Sequence, residues 1–150
     1  MLERIDLARK NGDSVGGIIE CIVFGMPAGI GAEPPCGLEG KIASLLYGIP
    51  AVKGVEFGNG FDLADRFGST ANDCFVYENE SVKTLTNRSG GINGGISNGM
   101  PITFSVAFRP TPSISKSQQT VDLLQKKPVE IRIEGRHDAC IVPRAVPVVE

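Results

Sequence analysis

The stretch ITFSVAF at Ile102–Phe108 sets Ile102, Phe104, Val106 and Phe108 against Thr103, Ser105 and Ala107. That is the period of a strand with one buried face. A second alternation follows, Val129, Ile131 and Ile133 against Glu130, Arg132 and Glu134, and reads as a half-exposed strand. Arg109-Pro110-Thr111-Pro112 and a polar stretch separate the two. The pair therefore predicts a mainly antiparallel sheet with helices on one face, an α+β fold.

Upstream, Gly16–Phe24 (GGIIECIVF) is apolar on both alternating faces except at Glu20, which predicts a strand buried on both sides. Leu38, Ile42, Leu45 and Leu46 mark one face of a helix with Pro34-Pro35 before it and Gly48-Ile49-Pro50 after it. A strand over Ala51–Phe57 completes a strand, helix, strand unit. Leu2, Ile5 and Ala8 keep helical spacing up to Lys10-Asn11-Gly12. Gly58–Asn72 reads as a long loop, and Pro143–Glu150 as the opening of a helix. No linker divides the chain, so residues 1–150 are expected to form a single domain.

Composition narrows the function. The 150 residues carry 15 Lys and Arg against 17 Asp and Glu, a formal charge of −2, which gives no general attraction to nucleic acid or anionic membrane. No apolar run approaches the ~18 residues of a membrane helix. Nineteen glycines and ten prolines exclude a helical bundle. The four cysteines lack metal-site spacing, and the first residues, Met1-Leu2-Glu3-Arg4, do not resemble a secretory leader. Reduced thiols in a cytoplasm are expected, and no metal site. His137 is the sole histidine, so any triad or two-histidine metal chemistry would have to pass through it.

Two segments hold most of the candidate chemistry. Ser89–Pro101 (SGGINGGISNGMP) has five glycines that either let backbone amides approach a ring or phosphate, or simply make a turn-rich linker. It precedes a strand and not a helix, so it is no dinucleotide fingerprint. Gly135-Arg136-His137-Asp138 follows a predicted strand and offers an anion contact, an imidazole and a carboxylate. On an extended chain Arg136 and Asp138 would point one way and His137 the other. An ordinary surface Arg–Asp pair is the competing reading. Lys53 and Arg109 are further cations placed at strand ends.

In order, GDSVGG (Gly12–Gly17), MPAGIG (Met26–Gly31), AVKGVEFGNGF (Ala51–Phe61), Asn72-Asp73, GGINGGISNGMPI (Gly90–Ile102), RPTPSI (Arg109–Ile114) and GRHDACIVPRAVPVVE (Gly135–Glu150) closely resemble chorismate synthase. The resemblance covers nearly the whole chain. It implies one of the two repeats of a layered β-α-β sandwich, and a lyase of the shikimate pathway. The reaction implied is the 1,4-trans elimination of phosphate from 5-enolpyruvylshikimate 3-phosphate, dependent on reduced FMN. By resemblance, the cofactor-binding residues are Pro50 and Ala51, Gly94, the segment Arg109, Pro110, Thr111, Pro112 and Ser113, and Arg136. Asp138 matches the aspartate proposed to remove the substrate proton.

Departures accompany the match. Pro50 stands where the family has asparagine, Arg109 where it has lysine, and Ala139 where it has proline. Family members are usually more than twice this long. Their amino-terminal GESHG and RPSHAD motifs, and the arginines that grip the substrate phosphate, have no counterpart here. The resemblance thus implies either a catalytic domain of low activity in isolation or a non-catalytic flavin-binding or assembly module. Apolar surface normally covered by the missing half leads to the expectation of a homo-oligomer.

Overall fold

The computed structural model describes residues 1–33 and 35–150. Strands β1 (Gly17–Val23), β2 (Val52–Phe57) and β7 (Ile102–Phe108) form an antiparallel sheet in the order β1-β7-β2. The ITFSVAF strand is its centre. Ile102, Phe104, Val106 and Phe108 are all buried, while the residues between them are half-buried. Register puts Val106 between Ile19 and Val55, and Phe104 between Cys21 and Phe57, so one face carries the apolar row. The Phe57 and Phe104 rings lie 5.9 Å apart in a tilted pair.

Helices α2 (Leu38–Tyr47) and α4 (Val142–Val149) cover that face. Leu46 from α2 and Val142, Ala145 and Val149 from α4 enter the core. Pro143 sits in the first turn of α4, where its missing N–H costs nothing. The α+β class with helices on one face is as expected. Helix α1 (Leu2–Lys10) packs separately, closing Ile5 and Ala8 onto Ala139.

Four expectations are corrected. Strand β1 is an edge strand, and its outward Ile18 and Ile22 are 63% and 55% exposed, so it is not buried on both sides. The Val129–Ile133 alternation does not join the sheet: β9 (Lys127–Ile131) pairs with β8 (Gln118–Asp122) as a separate hairpin. Alternation reports which residues share a face and carries no information about which strand lies alongside. The Gly58–Asn72 loop contains a 3-10 helix, Gly60–Asp65, and a short α3, Gly68–Ala71. The fourth correction concerns the glycine-rich segment, which is neither linker nor open loop throughout. It forms the hairpin of β5 (Ile92–Asn93) and β6 (Ile96–Ser97), with Gly94 and Gly95 at φ +59° and +86° making its two-residue turn. The remaining pair, β3 (Phe75–Glu78) and β4 (Ser81–Thr84), is a hairpin on the far side of Asp73. The Pro34-Pro35 signal before α2 falls partly on residue 34, outside the described residues.

Candidate functional site

The Phe108 end of the central strand gathers segments far apart in sequence. Arg109 N–H donates to the Ala51 carbonyl at 2.9 Å, which places Pro50-Ala51 beside Arg109-Pro110. Ala51 holds φ +73°, a conformation disfavoured for any residue with a Cβ and costing about 1–2 kcal/mol. The loop Gly12–Gly17 closes from the other side. Ser14 Oγ donates to the Thr111 carbonyl at 2.6 Å, and Ser115 N–H donates to the Gly12 carbonyl. Gly16 is tight enough that a Cβ would stand 2.2 Å from the Phe108 carbonyl oxygen, so only glycine fits.

Residues 135–138 join this end through His137. Its Nδ1 lies 3.0 Å from Ser113 Oγ, and its Nε2 lies 3.2 Å from the Ile133 carbonyl. A carbonyl at Nε2 requires a proton there, which leaves Nδ1 of the neutral ring to accept from the Ser113 hydroxyl. The segment turns at Gly135, φ +140°, and is not extended. Arg136, His137 and Asp138 all line one cavity of about 600 Å³, with Arg9, Asp13, Cys140 and Arg144. The expected separation of His137 from its neighbours is thereby corrected.

The ion pairing is corrected too. Asp138 Oδ2 is bonded to Arg144 at 2.9 Å, and not to Arg136. Helix α4 turns the chain back so that Arg144 faces Asp138, a tertiary pairing that no local motif announces. Across the cavity Lys116 pairs with Asp13 at 2.7 Å. The Lys116 hydrogen bond, helped by the Ser14 amide, holds the Asp13 carboxyl below its usual range. Neither the Arg109 nor the Arg136 guanidinium makes an ion pair among the described residues. Thr111 Oγ1 is buried without a partner.

Gly94 lies elsewhere. Leu38 N–H, at the start of α2, donates to the Gly95 carbonyl, whereas Pro50-Ala51 follow the end of that helix. Ten helical residues span about 15 Å, so Gly94 and the Arg109 segment sit at opposite ends of α2. No atom lies within 4 Å of where a Gly94 Cβ would be, so its turn faces open space. Gly90, Gly91 and Gly95 have a structural reason instead: backbone atoms of Gly58, Pro101 and Ala32 come within 2.7 Å of the positions their Cβ atoms would take.

Asn72-Asp73 anchors that segment. The buried Asp73 carboxylate accepts from Thr86 Oγ1 at 2.5 Å and from the Arg88 and Ser89 amides at 2.8 Å. Burial alone would raise its pKa, but these hydrogen bonds outweigh it and hold the carboxyl below the usual range. All four cysteines are free thiols, and among the described residues no group of three metal-ligating side chains comes together.

Comparison with known proteins agrees over the full length. The family model for chorismate synthase matches residues 1–150. The chain is 55% identical to the chorismate synthase of Thermococcus gammatolerans and 53% identical to that of Pyrococcus abyssi, each over 150 residues. Both alignments cover all of this chain and 42% of the relative, so the chain spans about two-fifths of their length. A solved structure, "Crystal Structure of Chorismate Synthase", superposes with a TM-score of 0.71 at 37% identity, covering 75% of this chain and 34% of that one. The ordered motifs, the sheet with its two covering helices and these alignments agree: this chain belongs to the chorismate synthase family.

Proposed function

We propose that this chain forms the flavin-contacting wall of a chorismate synthase, the shikimate-pathway lyase of aromatic amino acid biosynthesis. The observation that carries the reading is the meeting of Pro50-Ala51, Arg109–Ser113 and Arg136–Asp138 at one end of the sheet. The residues there suit FMN. Arg109 and Arg136, guanidinium groups without an ion pair among the described residues, offer contacts to an anionic ligand. When bound, reduced FMN supplies an electron-rich ring and undergoes no net oxidation in the reaction.

The substrate, 5-enolpyruvylshikimate 3-phosphate, loses a ring proton and its phosphate, and the electron pair of the broken C–H bond becomes part of the new diene. Asp138 is the base that receives the proton. Arg144, 2.9 Å away, fixes one oxygen of that carboxylate. Arg136 and Arg109 hold the cofactor, with the Arg109–Ser113 backbone steadied by Ser14 and His137. Gly94 belongs to a second surface at the far end of α2 and does not complete this wall within one chain.

Departure of phosphate requires positive charge or a proton. The family motifs with that role have no counterpart among these 150 residues. The chain alone is therefore expected to turn over far below the rate of longer relatives, in the anaerobic formation of chorismate with reduced FMN. Any activity should fall at least about a hundredfold on Asp138→Asn, the scale of a lost general base. Robust turnover indifferent to Asp138→Asn would sink the assignment. The second reading, a non-catalytic flavin-binding module, predicts flavin binding with no turnover. The biosynthetic role of the family supports placing the protein in the cytoplasm. We propose a homo-oligomer on the strength of the exposed apolar side chains.

A further inference from the structure

His137 is half-buried between two segments and engages one with each ring nitrogen. Nε2, 3.2 Å from the Ile133 carbonyl, closes the turn that reverses at Gly135. Nδ1, 3.0 Å from Ser113 Oγ, reaches the segment that Arg109 opens. Because a carbonyl only accepts, the neutral ring is held as the Nε2–H tautomer, with the Ser113 hydroxyl donating to Nδ1.

Among the described residues, the His137–Ser113 bond is the one hydrogen bond between residues 133–138 and residues 109–113. Just outside this pair of segments, Arg132 Nε donates to the Ser115 carbonyl at 3.0 Å from an exposed side chain. Arg136 and Asp138 flank His137 in the chain but do not tie their loop to the Arg109 segment. Asp138 pairs with Arg144 in α4, and Arg136 makes no ion pair among the described residues. The register between the two segments therefore passes through one imidazole. With both nitrogens engaged by protein groups, that ring has none left for a ligand.

We propose that His137 is a positioning residue: in its Nε2–H form it docks the Arg136–Asp138 loop onto Ser113, and so sets the distance from the Asp138 carboxylate to the segment that holds the flavin. This rests on the flavin-wall reading given above and deepens it. The role is distinct from those of its two neighbours, since His137 acts through Ser113 and touches neither cofactor nor substrate. Its leverage is geometric, because a displacement of about 1 Å in a reacting group costs on the order of a hundredfold in rate.

The test exploits the fact that His137 is the sole histidine of the 150 residues, so every imidazole signal belongs to it. Long-range proton–nitrogen NMR of the chain, above the ordinary imidazole titration range, should show the Nε2–H tautomer. Ser113→Ala should shift the Nδ1 resonance and leave the tautomer unchanged. An Nδ1–H ring, or an Nδ1 indifferent to Ser113→Ala, overturns the proposal whatever the flavin does. The second arm is FMN titration of variants whose folding is verified by circular dichroism. His137→Leu should weaken binding about three- to tenfold, the range of one neutral hydrogen bond, and should weaken Ser113→Ala protein little further. His137→Asn keeps an acceptor near the Nδ1 position and should recover part of the loss. Additive losses, or Asn no better than Leu, overturn the positioning role and leave the flavin-wall reading standing. A wild-type chain with the expected imidazole spectrum and no FMN binding overturns that reading, and the positioning role with it.

Discussion

Asp73 shows how a single side chain can organise the segments around it. Three donors converge on its carboxylate, and two of them are the amides that lead into the glycine-rich hairpin. Asp73→Asn keeps the size but turns one acceptor into a donor facing an N–H, so it should cost about 1–3 kcal/mol in urea unfolding. The pH dependence has a definite sign. Because the folded-state pKa lies below the unfolded value, the carboxylate's contribution is complete above the usual aspartate range and is lost as pH falls through the lowered pKa. Asp73→Asn should therefore flatten the acid limb of stability. An unchanged limb would mean that the three hydrogen bonds carry no net stabilisation.

Among the elements, the β5–β6 hairpin separates two kinds of glycine. At Gly90 an added Cβ would stand 2.5 Å from the Gly58 nitrogen, and at Gly95 2.5 Å from the Ala32 carbonyl oxygen. At Gly94 it meets nothing within 4 Å, and only the φ of +59° resists substitution. Gly94→Ala should thus cost about 1–2 kcal/mol in thermal or chemical unfolding, while Gly90→Ala and Gly95→Ala, which also force backbone apart, should cost clearly more. Equal losses at all three would contradict the packing described. A hairpin that keeps its shape while one turn residue faces open space is suited to contact with a ligand or another chain.

Elements also mark the limit of what local pattern conveys. Ile102–Phe108 is legible because every second residue is buried, and α2 because Leu38, Ile42 and Leu46 share one face. Strand β1 misleads because Ile18 and Ile22 are apolar on an uncovered face, and burial cannot be read from hydrophobicity when the covering layer is lacking. The β9 alternation is real, yet its partner is β8. At the site, the Arg136–Asp138 neighbourhood was legible from residue order. The Asp138–Arg144 pair and the Ser113–His137 bond were not, since each depends on how α4 and the Arg109–Ser113 segment return to the same end of the sheet.

At the scale of the molecule, a three-stranded sheet with helices on one face makes a rim at the Phe108 end where loops from four parts of the chain meet. That rim holds the cations and the carboxylate of the proposed site, while the remaining three-fifths of a longer relative's length is matched by nothing here. Flavin affinity is thus expected to be weaker than in a complete family member, because contacts from the rest of the fold are absent and Pro50 has lost a side-chain amide. The most direct measurement is an FMN fluorescence-quenching titration of this chain beside its Arg136→Ala variant. The account predicts saturable quenching, with Arg136→Ala weakening it about tenfold or more, the scale of one charge-assisted contact. Absence of quenching at millimolar protein, or equal affinity in the variant, would contradict it.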